Sequence, residues 1–247
     1  MDLFGLGIAI FYFIIISKIY EWICKINRKE QIVFFCYTCI SVFILEEIIT
    51  LVFSNSFALS KFLFPLVVYL YLRKLKKSEK YKAIFISLLL SLLYHSTHTF
   101  ISVTLSSITG DEVVLHYKST FLFVVLLMTY FSILIIIRYF HLDIKYFDKD
   151  YLYPFLKKVI VAFFGLHILL FISDIVSTTH HLNSFGSILS TIVFICLLLI
   201  FFAMNSHKVQ IEKEIALKQK KFEQKHLQTY TDEIVELYNE IRGFRHD

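Results

Sequence analysis

Apolar segments as long as a lipid bilayer is thick recur along this 247-residue chain. A helix that crosses the hydrocarbon core needs about 20 mostly apolar residues, because lipid offers no hydrogen-bond partner to an open backbone. Six segments have about this length, namely 3–24, 31–53, 83–108, 119–138, 159–176 and 185–204. A seventh segment, 57–72, is shorter and contains Lys61 and Pro65. The sequence therefore predicts an all-α membrane protein with a seven-helix transmembrane domain.

The composition excludes an ordinary soluble globular protein. Hydrophobic residues make up 57% of the chain and the mean hydropathy is +0.67. Charged residues make up 18%, whereas a soluble domain has about 25%. With only 6 Gly and 2 Pro, the chain is also not collagen-like or rich in loops.

The charges of the loops predict the orientation in the membrane, because Lys and Arg are retained on the cytoplasmic side. With seven spans, three loops on one side carry 14 Lys and Arg, and the loops on the other side carry one. The basic loops are 25–30, 73–82 and 138–158, and the others are 54–56, 109–118 and 177–184. If 57–72 did not cross, loop 25–30 would move outside and would place its Lys and Arg residues on the wrong side of the membrane. We therefore predict that the N-terminus lies outside and the C-terminus lies in the cytoplasm, with 1–204 as the transmembrane domain.

The last segment, 205–247, has the pattern of a cytoplasmic dimerising helix. It carries eight basic and eight acidic residues and no Pro. Apolar residues spaced alternately by three and four form a heptad seam, which in water is buried by pairing with a second helix. The seam residues are Leu227, Tyr230, Ile234, Leu237, Ile241 and Phe244. Upstream, Ile211, Ile215 and Phe222 follow another phase, which indicates a stutter near 222–227. A solvated single helix is the alternative.

The chain ends on residues that could carry phosphoryl chemistry. His246 follows the seam residue Phe244 on the solvent side of a paired helix, and an exposed neutral imidazole can attack a phosphoryl group. Asp247 is the candidate base or orienting group, and Arg245 supplies positive charge beside an incoming nucleotide. An ordinary surface histidine is the alternative, which the position at the end of a membrane-linked dimer helix disfavours.

Arg245-His246-Asp247, preceded by NEIRGF, resembles the phosphoacceptor box of the Agr-type family of peptide-pheromone receptor histidine kinases. Four further stretches are similar to competence-type members of this family, so that the resemblance covers the whole chain. They are LLLSLLYHSTH (88–98), SSITGDE (106–112), YFDKDYLYPFLKK (146–158) and HLNSFGSIL (181–189). The resemblance implies a homodimeric sensor kinase of a two-component quorum-sensing system. It implies that His246 autophosphorylates and passes the phosphoryl group to a cytoplasmic response regulator.

The ATP-binding domain of that family is missing from this sequence. No G-x-G signature or Walker-type phosphate loop occurs in 1–247. We therefore expect the chain to be part of a longer kinase that binds ATP with Mg²⁺ elsewhere, and this part to be inactive alone. We expect no nucleic-acid partner.

The predicted outer face is acidic, which favours a cationic ligand. Its net charge of −4 results from six carboxylates and two lysines, Lys61 and Lys118. The carboxylates are Asp2, Glu46, Glu47, Asp111, Glu112 and Asp174. We predict that the last five bind a secreted, cationic, amphipathic peptide of the pheromone type. Alternatives are an internal ion pair of Lys61 with Glu46 or Glu47 and simple solvation of Asp111 and Glu112.

Other functional classes are less well supported. His95 and His98 share a helix face, and His180 and His181 follow on the same side, but no carboxylate or Cys lies at ligand spacing, so we predict no metal site. A transporter or channel is disfavoured because the chain has no internal repeat and no pair of broken helices. A non-enzymatic dimeric membrane scaffold would need only the seam and would leave His246 without a role.

Overall fold

We describe the protein from a computed structural model. The structure describes residues 3–52, 57–110, 117–140, 153–179 and 183–243. Within these ranges the secondary structure is helical and contains no strand. The all-α class predicted from the sequence is therefore confirmed for the described part of the chain.

The described residues form seven α-helices and one π-helix. The described residues of each predicted apolar segment are helical, and the bounds of the first, 3–24, agree residue for residue. The π-helix, Tyr71–Leu75, directly follows the third α-helix. The α-helices are α1 (Leu3–Cys24), α2 (Arg28–Val52), α3 (Phe57–Leu70), α4 (Lys80–Thr109), α5 (Lys118–Tyr139), α6 (Tyr153–Thr179) and α7 (Asn183–Gly243).

Five of these helices are long and apolar enough to cross a membrane, namely α1, α4, α5, α6 and α7. They are compatible with the membrane protein that the sequence predicts. Helix α2 carries Arg28, Lys29 and Glu30 in its first turn, and α3 has only 14 residues. The structure thus supports five spans by length and composition, and it leaves α2 and α3 as predictions.

Helix α4 lies at the centre of the helices in the first part of the chain. It packs against α1, α3, α5 and α6. Every residue from Phe85 to Tyr94 is buried, which includes polar Ser87 and Ser91. By contrast, α5 leaves Phe131 and Ile135 well exposed. The bundle therefore buries small polar side chains among apolar ones and leaves apolar side chains on its outside, as expected where lipid rather than water surrounds the helices.

Side-chain contacts give the directions of the helices. Tyr20 stacks on Phe34 with ring centroids 4.2 Å apart, and Phe13 approaches Phe43 at 5.9 Å, so α1 and α2 are antiparallel. Tyr71, the first residue of the π-helix, packs beside Phe34 with ring centroids 5.2 Å apart. The end of α1, the start of α2 and the π-helix therefore meet. We call this end of the bundle the basic end.

The same reasoning places α4, α6 and α7. Phe85 stacks on Phe163 at 5.6 Å, and the Lys157 ammonium lies 5.0 Å from the Tyr81 ring centroid, so α4 and α6 both start at the basic end. The hydroxyl of Ser173, near the end of α6, is hydrogen-bonded to that of Ser190, near the start of α7. The start of α7 therefore lies beside the end of α6. The ends of α2, α4 and α6 therefore lie at the opposite end, which we call the acidic end.

The chain divides into two compact units, Met1–Phe201 and Phe202–Asp247. The first contains α1 to α6 and the start of α7. The second consists, in its described part, of the remainder of α7, whose residues from Phe222 to Ile241 are exposed wherever their burial is described.

Candidate functional site

The predicted phosphoacceptor group lies outside the described residues. Helix α7 is described as far as Gly243, three residues before His246. Arg245, His246 and Asp247 follow in the part of the chain that the structure leaves undescribed. Their catalytic roles therefore stay predictions from the sequence.

The predicted ligand-binding carboxylates lie on segments that reach the acidic end. Glu46 and Glu47 are in the last two turns of α2, and Asp174 is in the last two turns of α6. The side chains of these three residues are not described. Asp111 and Glu112 lie outside the described residues, directly after Gly110, the C-cap of α4. The fold thus brings the segments together at one end, while the contacts of the carboxylates remain predictions.

The local structure explains why α4 stops before this loop. Gly110 has a φ of 81°, and its N–H donates to the carbonyl of Ser106 at 2.9 Å. A positive φ suits glycine, since it has no Cβ to clash with the backbone. The chain therefore turns out of the helix one residue before Asp111.

A buried imidazole bridges the two central helices. The Nε2 atom of His167 on α6 lies 2.9 Å from the Oγ of Ser91 on α4. His167 is 4% exposed and Ser91 is fully buried. Because both residues are buried, water does not compete for this hydrogen bond, and loss of either partner removes it without replacement by solvent. The pair therefore ties α4 to α6 near the middle of the bundle.

A second polar and aromatic group lies farther along α4, on its face towards α1 and α5. The Tyr94 ring is 4.5 Å from that of Tyr12 on α1, edge to face, and it stacks on the His98 ring at 5.5 Å. The Nδ1 atom of His98 lies 3.5 Å from the Oγ1 of Thr129 on α5, at the limit of a hydrogen bond. We call Tyr12, Tyr94, His98 and Thr129 the aromatic cluster. It couples three helices.

The contact between α6 and α7 adjoins the predicted ligand residue Asp174. The Oγ of Ser173, one residue earlier, donates to the carbonyl of Gly186 at 2.9 Å and lies 3.0 Å from the Oγ of Ser190. Small residues let helices approach closely enough for such bonds. Asp174 therefore directly follows a residue that contacts the start of α7.

The histidines do not form a metal site in the described part of the chain. There, no group of three or more His, Cys, Asp or Glu side chains is placed to hold an ion. His98 approaches Thr129 rather than a second ligand, and His95 is an aromatic neighbour of Tyr12 at 6.3 Å. His180 and His181 lie outside the described residues. The predicted absence of a metal site is therefore not tested over the whole chain.

The seam of the second unit is exposed in the single chain. The side chains of Leu227, Tyr230, Ile234, Leu237 and Ile241 are each between 56% and 68% exposed, and Phe244 lies outside the described residues. Such a row of apolar side chains on a water-exposed helix favours pairing. The pairing itself remains a prediction.

Sequence reasoning missed the partner of His167 and the π-helix. His167 was visible as a lone imidazole in an apolar segment, which signals a need for a hydrogen-bond partner. Nothing local in the sequence indicates that the partner is Ser91, which is 76 residues away.

Comparison of the chain with protein-family models, with curated proteins and with solved structures gives no match.

Proposed function

We propose that the protein is the membrane and dimerisation part of a receptor histidine kinase that responds to a secreted cationic peptide pheromone of the competence type. The observation that carries this proposal is the combination found in α7. One helix, Asn183–Gly243, includes an apolar segment long enough to cross a membrane and ends three residues before the phosphoacceptor-like His246. A helix of this kind links events in a bilayer to a histidine in the cytoplasm.

The proposed topology has seven spans, with α2 and α3 added to the five apolar helices. Helix α2 exposes Ile32, Ile40, Ile44 and Ile48, which repeat at multiples of four residues and form an apolar stripe. A protein in water rarely exposes such a stripe, whereas lipid covers it. The predicted segment 57–72 comprises α3 and the first two residues of the π-helix. Its length is about 24 Å at 1.5 Å per residue, a short span that a locally thinner bilayer accommodates.

The proposed ligand site is the acidic end. The segments that carry Glu46, Glu47 and Asp174 reach it, and Asp111 and Glu112 follow α4 there. The carboxylates would attract the basic face of an amphipathic peptide, and the aromatic side chains between the helices would take its apolar face. This arrangement supports a cationic peptide rather than an anionic ligand.

The proposed reaction is phosphoryl transfer. A nitrogen of the His246 imidazole attacks the γ-phosphorus of ATP, the bond from that phosphorus to the β,γ-bridging oxygen breaks, and ADP leaves. Asp247 orients the imidazole and accepts its proton, and Arg245 stabilises the negative charge of the transferring group. The phosphoryl group then passes to a carboxylate of the response regulator. ATP with Mg²⁺ would be bound by the nucleotide-binding domain that kinases of this class carry.

Labelling with radioactive ATP tests the proposal. The full-length protein, in membranes, is incubated with labelled ATP with and without a cationic amphipathic peptide. His246→Gln should abolish the acid-labile label, and His226→Gln, an exposed histidine on the same helix, should leave it unchanged. A His246→Gln protein that labels as strongly as the wild type would refute the assignment.

A further inference from the structure

Two loops distant in sequence form one basic surface at the basic end. Loops 25–30 and 73–82 contain nine Lys and Arg against two Glu, a net charge of +7, which exceeds the +5 of the whole chain. Seven of the nine cationic residues are exposed. We call these seven the basic surface. They are Lys25, Arg28, Lys29, Arg73, Lys74, Lys77 and Lys80.

An ion pair and a hydrogen-bonded turn hold the two loops together. The Lys76 ammonium pairs with the Glu30 carboxylate. The Glu30 N–H donates to the Asn27 side-chain oxygen at 2.9 Å, which caps the start of α2. The charges of Lys76 and Glu30 thereby neutralise each other, and the seven exposed cationic residues lie on the same two loops. The ion pair and the capped start of α2 therefore hold the two loops beside each other.

The π-helix gives the second loop its shape. The Lys76 N–H donates to the carbonyl of Tyr71 at 3.3 Å, and the Ser78 N–H donates to that of Leu72 at 2.9 Å. The guanidinium of Arg73 donates to the Ser78 carbonyl at 2.6 Å, and Lys77 has a φ of 51°. Short π-helical turns are frequent at functional sites, because an extra residue is retained only where it is useful.

An exposed leucine lies among the cations of this turn. Leu75 is 56% exposed and stands between Lys74 and Lys76 in sequence. Nearby, the partly exposed Tyr81 ring lies under the ammonium of Lys157. Cationic side chains beside an apolar and an aromatic side chain, at the end of an apolar bundle, match the zone where lipid headgroups meet acyl chains.

We infer that the basic surface binds the phosphate headgroups of anionic phospholipids, with Leu75 in contact with their acyl chains. The lipid lies in the cytoplasmic leaflet if the topology of the proposed function holds. The headgroup preference itself does not depend on the kinase assignment, so the two can fail separately. A nucleic acid or an acidic peptide would satisfy the charge but would not account for Leu75, whereas a lipid satisfies the charge and the apolar side chain together.

The one Trp of the chain, Trp22, is a natural reporter of this site. It is partly buried, its ring is 5.5 Å from that of Tyr130, and it lies three residues before Lys25. Bromine on a lipid acyl chain quenches tryptophan fluorescence only at short range. The full chain is reconstituted into bilayers of phosphatidylcholine and phosphatidylglycerol in which one or the other lipid is brominated, and the ratio of quenching gives the relative binding constant.

We expect phosphatidylglycerol to be preferred about tenfold over phosphatidylcholine, from the attraction of several Lys and Arg to an anionic headgroup. The triple variant Arg73→Gln, Lys74→Gln, Lys77→Gln should lose most of this preference, and so should Lys25→Gln, Arg28→Gln, Lys29→Gln. The control Lys218→Gln, Lys220→Gln, Lys221→Gln removes the same charge from the second unit and should keep it. Quenching by brominated phosphatidylcholine in bilayers of that lipid alone must stay at the wild-type level, which shows that each variant is folded and inserted.

Three outcomes would overturn the inference. One is equal quenching by both lipids in the wild-type chain. Another is a preference that survives in both triple variants of the basic surface. The third is a preference that excess inorganic phosphate abolishes, because the surface would then take a free phosphate rather than a lipid. A preference that resists phosphate and falls only in the two basic-surface variants supports it.

Discussion

The Nε2 atom of His167 lies 2.9 Å from the Oγ of Ser91, and this contact joins two helices that start at the same end of the bundle. Ser91 is fully buried and His167 is 4% exposed, so water does not compete for this contact. The contact therefore helps to hold α4 and α6 in register.

Replacing Ser91 by Ala should destabilise the bundle, because it leaves the Nε2 atom of a buried imidazole without its bond. We expect a loss of about 1 kcal/mol in the free energy of unfolding and a fall in Tm of about 2–4 °C, measured by thermal unfolding in detergent. Ser107→Ala is the matched control on the same helix. Its hydroxyl is exposed and bonds only the Val103 carbonyl, so we expect no change in Tm. Equal shifts for both variants would contradict a role for the pair.

A double-mutant cycle separates the hydrogen bond from general packing. In the His167→Phe background, Ser91→Ala should cost less than in the wild type, because the bond is already lost. Additive effects of the two substitutions would show that the 2.9 Å contact contributes nothing of its own.

The seam predicts that the second unit pairs with its copy. Leu237→Asp should abolish the dimer of the full chain, because it places a charge in the apolar seam. Val235→Asp is the control, since Val235 is also exposed but lies off the seam. Chemical crosslinking in detergent measures both. Loss of the dimer in both variants, or in neither, would contradict the assigned seam.

The topology predicts that residues 55 and 78 lie on opposite faces of the membrane. Cysteines introduced as Asn55→Cys and Ser78→Cys are tested in intact cells with a membrane-impermeant maleimide, after the four native cysteines have been replaced. Position 55 should react from outside, and position 78 only after permeabilisation. Labelling of both from the same side would show that 57–72 does not cross.

The ligand assignment predicts that Asp111→Asn with Glu112→Gln weakens the response to a cationic peptide. The half-maximal peptide concentration for autophosphorylation of the full-length protein should rise about tenfold, the effect expected when about 1.4 kcal/mol of charge attraction is lost. Glu212→Gln with Glu214→Gln removes the same charge from the second unit and should leave the dose curve in place. An unchanged curve for the Asp111 and Glu112 variant would reject this loop as the binding surface.

The helices could be read from the sequence because their cause is local. A segment such as 3–24 contains enough apolar residues to span lipid and no residue that breaks a helix, so its bounds match α1. The basic and acidic ends could also be predicted from the sequence, because basic loops alternate along the chain with loops that carry almost no Lys or Arg. Which helix is central could not be predicted from apolar character, since α5 is at least as apolar as α4. In retrospect, the buried Ser87, Ser91, Ser96 and Thr97 indicate it, because small polar side chains gather where helices meet.

Periodicity, length and charge act over a few turns, so they suffice to predict a chain of long apolar helices, a charge difference between their two ends and a seam in the last 43 residues. The packed helices alone reveal that Ser91 meets His167, that Glu30 meets Lys76 and that the chain leaves α3 through a π-helix. Each of these contacts joins residues separated by many positions or shifts a hydrogen bond by one residue, and both depend on how whole helices pack rather than on local preference.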